Sequence, residues 1–321
     1  MSKASARQFL ALTGLAVTEL FRQPASFLLI LTSTSCTVLA PLALSFQLGQ
    51  ETHLALDSSL AFEFMFGIIL AGYAACATLH NECQSGTIMI VFSKPVSRVM
   101  FFLAKYLAIA LLILFFVFCS SAASLLAGRL SPRNFEFDAL GLRILLAIPL
   151  VSIIPAALIN YFTRRSFIVY ALLGFSLALV TVVITLGMIN GEGHRVAFGS
   201  LMDWRILPAC ALEGIALLIL AAIALSLASR LTTPTTIAIL AVILFSGLIS
   251  DHLITLLPNS EALRFGFRMI LPDIQAFWPA DRLAGGESLS LPVITHAAAY
   301  GLAYTCGVLC MGYAAFRNRQ F

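Results

Sequence analysis

The sequence has few charged residues, and its polar stretches are too short to fold as a separate soluble domain. Only 11% of its 321 residues are charged, whereas 60% are hydrophobic; soluble domains carry about 25% charged residues. A soluble domain also needs at least about 50 residues, more than any polar connection here provides. These shortages exclude a water-soluble enzyme and leave soluble chemistry to a partner protein.

Motifs that bind cofactors or metals are also missing. The sequence has no G-x-x-x-x-G-K-[ST] phosphate loop, no G-x-G-x-x-G and no H-E-x-x-H. Its seven cysteines lie almost entirely in apolar segments without C-x-x-C spacing, so no disulfide framework is expected. We therefore predict no catalytic residues, no metal ligands, no cofactor in this chain and no nucleic-acid partner.

Eight apolar segments reach the roughly 20 residues that a helix needs to cross a bilayer. They are residues 27–47, 59–80, 101–127, 139–162, 167–189, 207–229, 234–257 and 292–316. The predicted fold is an all-α, polytopic membrane protein with about eight transmembrane helices. Residues 1–26 mix apolar and charged side chains and predict an amphipathic helix in the membrane interface. The regions expected are 1–26, 27–127 with the run 80–98, 128–206, and 207–321.

Basic residues favour one orientation of these spans. An even number of spans puts both termini on one side, and the loops on that side hold eleven of the nineteen basic residues. These are Lys3, Arg7, Arg22, Lys94, Arg98, Lys105, Arg164, Arg165, Arg230, Arg317 and Arg319. Short loops rich in Lys and Arg stay in the cytoplasm, so we expect cytoplasmic termini in the plasma or inner membrane of a bacterium.

Residues 80–98 form the most informative run, between the second and third predicted spans. The apolar stretch 88–92 is too short to span a bilayer. Gly86 breaks the descending helix, Thr87 can cap a new one, and Pro95 ends it. The run predicts a short helix lying across the membrane plane at the inner face.

The beginning of the third span adds three polar residues to this run. Ser97 can cap the span, while Arg98 and Lys105 lie seven residues apart, on nearly one helical face at the inner headgroups. A purely structural interpretation exists for these three, because any polytopic protein needs capped, positively charged inner loops. It does not explain the whole run.

This part of the sequence resembles the coupling segment of ABC transporter type-2 permeases. The shared pattern is an acid followed by Gly-Thr, an apolar turn, Ser-Lys-Pro-Val-Ser-Arg and a later Lys. Glu82, Gly86, Thr87, Ser93 to Arg98 and Lys105 carry this resemblance. Residues 226–234 and 271–277 are similar to later landmarks of that family. The resemblance covers roughly 59–107 and 207–321 but not 128–206. Because such permeases usually have six spans, it implies that the pair 139–162 and 167–189 is an insertion into a six-helix core.

The resemblance implies that the short cytoplasmic helix docks into a groove on a separate ATPase subunit. An exposed apolar turn with a charged rim suits such a helix-in-groove contact. ATP and Mg would be bound by that partner, in two copies, and a second permease copy or paralogue would complete an exporter, with accessory periplasmic or extracellular proteins as further partners. The predicted ATPase-coupling residues are Glu82, Gly86, Thr87, Ile88, Met89, Phe92, Lys94, Pro95, Ser97, Arg98 and Lys105.

Three ionisable residues inside the spans are candidates for a pathway or gate. Glu63, Glu213 and His296 each lie within about two turns of the outer end of a predicted span, and such groups tend to face a cavity or a partner side chain. Snorkelling to the outer headgroups or structural hydrogen bonding is the alternative. The same residues would be coupling groups in an ion-gradient-driven secondary transporter, although no internal repeat supports that class. The spans contain few paired Asp, His or Ser motifs, which argues against an intramembrane enzyme. A non-transporting membrane scaffold is a further alternative.

The longest outer connection, 258–291, contains Phe265, Phe267, Phe277 and Trp278. Aromatic side chains concentrate at membrane interfaces. We therefore expect this segment to lie on the outer headgroups.

Overall fold

The computed structural model describes residues 3–43, 51–84, 97–130, 139–190, 193–250, 252, 255, 271–284 and 289–317. Within these residues the secondary structure consists of helices joined by turns and irregular segments, with one isolated bridge between Ile189 and Arg195. The helices are α1 (Lys3–Arg22), α2 (Pro24–Ala43), α3 (Glu51–Ala75), α4 (Arg98–Leu130), α5 (Ala139–Thr163), α6 (Phe167–Met188), α7 (Ile206–Ala228), α8 (Thr233–Leu248) and α9 (Leu291–Arg317). The predicted all-α fold is confirmed.

Seven of these helices, α2 to α7 and α9, are long and apolar enough to cross a membrane among the described residues. The predicted span 234–257 corresponds to α8, which has 16 residues, and the rest of that prediction lies mostly outside the described residues. The chain is a multi-pass membrane protein. Its first span begins at Pro24 rather than 27, because proline is well suited to the first turn of a helix, where no backbone N–H partner is required.

The N-terminal helix α1 has one buried and one exposed side. Ala16 and Leu20 are almost fully buried, and the helix packs on α4. Leu10 and Leu15 are 68% and 66% exposed. Apolar residues on the outer face of a short amphipathic helix suit the boundary between headgroups and acyl chains.

The centre of the bundle is formed by α3, α4 and α7, each of which packs on the other two. Small residues let these helices approach closely. A Cβ atom at Gly67 of α3 would lie 2.5 Å from Cδ1 of Leu217 on α7, and one at Gly214 of α7 would lie 3.2 Å from Val117 on α4. The spacing of this core therefore depends on the absence of side chains at these two positions.

The helices α5 and α6 form a hairpin at the side of the bundle. They pack mainly on each other, and α6 attaches the pair to α4, with smaller contacts to α1 and α2. Leu146 and Leu150 of α5 and Leu177 of α6 are more than half exposed, as side chains facing lipid would be. The predicted insertion of this pair stays a prediction.

Part of the long outer connection packs between helices instead of lying on the outer headgroups. Phe277 is fully buried, with its ring centroid 6.0 Å from that of Tyr300 on α9. The Trp278 ring stacks on Phe64 of α3 at 5.5 Å. The headgroup prediction was wrong for these two residues, because their rings gain more by packing into the helix interfaces than by staying at the surface; Phe265 and Phe267 lie outside the described residues. We call residues 271–284 the outer plug.

Substituting Gly67 with Val should loosen the central packing. The added methyl groups would overlap the Leu217 side chain, and overpacking of this kind costs about 1–3 kcal/mol. We expect the thermal unfolding midpoint of the detergent-solubilised protein to fall by several degrees. Gly307→Val is the matched control, since nothing lies within 4 Å of a Cβ at that position. Equal losses in both variants would show that helix propensity, not packing, sets the effect.

Candidate functional site

The structure describes both flanks of the predicted coupling run but not its middle. Glu82 lies in a short helical turn, Asn81–Gln84, that extends α3, and Ser97, Arg98 and Lys105 lie at the beginning of α4. The other predicted coupling residues, Gly86, Thr87, Ile88, Met89, Phe92, Lys94 and Pro95, lie outside the described residues.

The buried ammonium group of Lys105 joins three separate elements. Its Nζ lies 2.6 Å from Oε1 of Glu82 and 3.8 Å from Oε2 of Glu19 on α1. The Lys105 and Glu82 side chains are only 6% and 20% exposed. Nζ also lies 5.5 Å from the centroid of the Phe101 ring, within range of a cation–π attraction. We call Glu19, Glu82 and Lys105 the Lys105 cluster.

The position of Lys105 corrects the sequence interpretation, which pointed its side chain to the inner headgroups. The side chain instead turns into the protein, because a buried ammonium is stabilised by nearby carboxylates. Partial burial raises the pKa of Glu19, while Lys105 lowers it and the negative charge of Glu82 raises it again. The carboxylates of Glu19 and Glu82 therefore share the ammonium group of Lys105, and Glu82 makes the shorter contact.

The other flank of the run is fixed by a cap and a long-range contact. Oγ of Ser97 accepts a hydrogen bond from the N–H of Met100 at 3.3 Å, as predicted for a helix cap. The Arg98 guanidinium donates to the carbonyl of Arg317 at 3.0 Å. The start of α4 and the end of α9 therefore lie together, which brings the C-terminal end of the described chain to the same end of the bundle as the coupling run.

A π-helical turn, Cys76–His80, immediately precedes the turn that carries Glu82. Such a turn accommodates an extra residue and changes the direction in which later side chains point. Cys76, Ala77, Thr78 and Leu79 are buried in it, against α1, α7 and α8. The direction of Glu82 is therefore set by packing of the preceding turn.

Two of the three candidate pathway residues meet inside the bundle. Glu63 of α3 and Glu213 of α7 are both fully buried and interact electrostatically. Ser120 of α4 and Cys210 of α7 lie beside Glu63. Within the described residues, none of the four carboxyl oxygens makes a short, well-aligned hydrogen bond, so the contacts of Ser120 and Cys210 with Glu63 are weak ones. A buried polar pair with so few partners is costly to keep, so we treat Glu63 and Glu213, the carboxyl pair, as a second candidate site.

The carboxyl pair lies deeper than the sequence indicated. The membrane-spanning part of α3 begins at Leu54, which puts Glu63 nine residues, or about 14 Å, along the span. Above it, Leu56, Leu60 and Leu125 form an outer apolar cluster. The Glu63 carboxyl is fully buried beneath this apolar cluster, so its side chain does not snorkel to the outer headgroups.

His296 does not join the pair. The residue is exposed, and its Nδ1 lies 2.7 Å from the carbonyl of Pro292 in the same helix. Within the described residues, no group of three or more His, Cys, Asp or Glu side chains could hold a metal ion.

Sequence reasoning missed Glu19 as a member of the site. The signal was present in Lys105, which stands among Phe101, Phe102 and Leu103 on one side and Tyr106 and Leu107 on the other. A lysine in such surroundings needs an acidic partner. The sequence does not show which of the acids provides it.

Comparison with known proteins agrees with the resemblance of the coupling run. Residues 11–160 match the model of a family described as ABC-2 family transporter protein. This match includes the flanks of the run and extends through most of α5, beyond the stretch where the motif resemblance ended, whereas residues 207–321 lie outside it. No curated protein matches the chain.

Removing Lys105 alone from its ion pair with Glu82 should destabilise the protein more than removing both residues. Lys105→Met leaves Glu82 without its main counter-charge, and breaking a buried pair costs about 3–5 kcal/mol. We expect a clear drop in the thermal unfolding midpoint for Lys105→Met and a smaller one for the double variant with Glu82→Leu. The exposed Arg230→Gln, outside the Lys105 cluster, serves as control. Strictly additive effects of the two substitutions would argue against a coupled pair.

Proposed function

We propose that this chain, of which residues 11–160 match the model of a family described as ABC-2 family transporter protein, is a membrane permease that moves its substrate with energy from a separate ATPase subunit. The observation that carries the proposal is the Lys105 cluster. It ties the end of α3 and the beginning of α4, the two flanks of the run 85–96, to α1. A movement of that run would therefore be transmitted to α1, α3 and α4 together.

The proposed contact is the run 85–96 itself, received by a groove on the ATPase. The family implies an ATPase partner; we further propose two copies of it and a second permease copy or paralogue, with ATP and Mg bound by the ATPase. Lys105 and Ser97 hold the two flanks of the run in place. A movement of the run would then be passed on to the helices and not be absorbed at its ends. The chain's own role is mechanical.

The distribution of arginines supports cytoplasmic placement of this bundle end. Arg22 at the end of α1, Arg98 at the beginning of α4, the turn Arg164–Arg165 and Arg317 at the end of α9 all mark helix ends on one side. Basic residues at short connections favour the cytoplasmic side. We propose that both termini face the cytoplasm of a bacterial cell and that substrate leaves by the opposite end.

The carboxyl pair is proposed as part of the path or its gate. It lies where α3 meets α7, under the outer plug, whose Trp278 stacks on the residue after Glu63. A separation of α3 from α7 would admit water to the two carboxyls and remove the cost of burying them. That cost therefore opposes the closed state and favours opening.

A charge reversal at Glu82 should uncouple the ATPase. Glu82→Lys places two cations together and releases the flank of the coupling run, and Gly86→Trp adds bulk within the run. We expect both variants to insert into the membrane but to lose at least about tenfold in copurified ATPase or in substrate-stimulated ATP hydrolysis. Arg230→Gln, at the same bundle end but outside the cluster, is the control. Unchanged copurification and hydrolysis in both variants would refute the proposed lever.

Apolar substitution of the carboxyl pair should separate stability from activity. Glu63→Met and Glu213→Met replace the buried carboxyls with apolar side chains of similar length, so the thermal unfolding midpoint should rise or stay unchanged. Transport of the molecule that mass spectrometry finds bound to the purified complex should fall severalfold, with assembly intact. Ser59→Ala, a buried hydroxyl elsewhere on α3, is the control. Loss of stability with wild-type transport per folded molecule would assign the pair to packing.

A further inference from the structure

A groove of about 920 Å³ opens between α1 and the beginning of α6, at the basic end of the bundle. Three of its eleven lining residues are arginines, Arg22, Arg164 and Arg165, and none of the eleven is acidic. The nearby acid on α1, Glu19, is engaged with Lys105 on α4. The groove therefore concentrates positive charge that no lining side chain neutralises.

The turn between α5 and α6 holds two of these arginines in a defined shape. Arg164 has a φ of +52°, an uncommon conformation for a residue with a side chain. Its N–H donates to the carbonyl of Asn160 at 2.9 Å, and Nδ2 of Asn160 donates to the carbonyl of Arg165 at 2.5 Å. Backbone conformations of this kind persist where surrounding contacts determine them, often at ligand sites.

The floor of the groove is apolar and continues along the bundle. Val17 and Phe21 of α1 and Leu173 of α6 line the groove beside the arginines. Tyr170 and Leu173 also line a second groove of about 630 Å³ between α5 and α6. Most of that second lining is aliphatic, as in Ile144, Val151 and Leu177. A basic pocket thus leads directly into a long apolar channel at the side of the protein.

We propose that these joined grooves bind one anionic phospholipid. Its phosphate would lie among Arg22, Arg164 and Arg165, because guanidinium groups form bidentate hydrogen bonds with phosphate oxygens, and one acyl chain would lie between α5 and α6. The apolar groove that continues from the basic pocket favours a lipid over a free phosphate ion, because a phosphate ion has no acyl chain to fill it. Basic pockets between helices at the cytoplasmic surface suit anionic headgroups.

Binding of labelled lipid to the full-length chain tests this site without any transport assay. The purified protein in detergent is titrated with phosphatidylglycerol carrying a fluorescent acyl chain, and the same label on phosphatidylcholine gives the reference. Each arginine near a phosphate contributes about fivefold in affinity. We therefore expect the triple variant Arg22→Gln, Arg164→Gln, Arg165→Gln to bind phosphatidylglycerol about 100-fold more weakly, and phosphatidylcholine to bind poorly throughout.

Two matched variants control for charge and folding. Arg230→Gln removes a cation at the same bundle end without touching the groove and should bind like the wild type. Lysine at all three positions keeps the charge but loses the bidentate hydrogen bonds, so its affinity should lie between those of the wild type and the triple glutamine variant. Should the triple glutamine variant not fold, Arg165→Gln alone, at an exposed side chain, carries the test with a fivefold loss.

Several results would overturn the lipid site. Equal affinity for both lipids, or wild-type affinity in the triple variant, would exclude the arginines as its determinant. Competition by millimolar inorganic phosphate as strong as that by unlabelled lipid would assign the groove to a soluble anion. Unchanged lipid binding with loss of copurified ATPase would assign the arginines to a protein contact.

Discussion

The positive charge of Lys105 is buried in a part of the molecule that is otherwise almost entirely apolar, and it persists there because two carboxylates from other elements approach it. The contact with Glu82 joins the beginning of α4 to the extension of α3, and the contact with Glu19 adds the N-terminal helix. A charge in such surroundings has a high cost if its partners leave. The three elements are therefore held to one another by electrostatics as well as by packing, next to the two ends of the described chain that border residues 85–96.

The helix α4 connects this end of the molecule with the carboxyl pair. Lys105 and Ser120 lie fifteen residues apart on it, about 22 Å along the helix axis, and α4 has 33 residues in one unbroken helix. A displacement at the Lys105 cluster therefore reaches Ser120 beside Glu63 through a single rigid element. The helix α4 contacts both α3 and α7, which carry the pair, so a tilt of α4 would change the environment of both carboxyls.

Much of the fold follows from the sequence because a span has to be both long and apolar, and seven predicted spans have helices of this kind among the described residues. Sequence periodicity does not show which helices become neighbours. This is why Glu63 and Glu213, 150 positions apart, were both proposed as pathway candidates without being predicted to meet, and why Glu19 was missed. The depth of Glu63 was underestimated because α3 begins at Glu51, well before the apolar stretch. Phe277 and Trp278 were misplaced because aromatic residues in a connection suit an interface and a helix junction equally well.

The stacking of Trp278 on Phe64 gives the protein a built-in optical reporter. The sequence has two tryptophans, Trp204 and Trp278, and the first is engaged locally, with its indole N–H donating to the carbonyl of Gly199. Indole emission shifts to longer wavelength when the ring meets water. With phenylalanine in place of Trp204, the emission of the remaining indole would report, in real time and without any label, whether the outer plug stays in contact with α3 or separates from it.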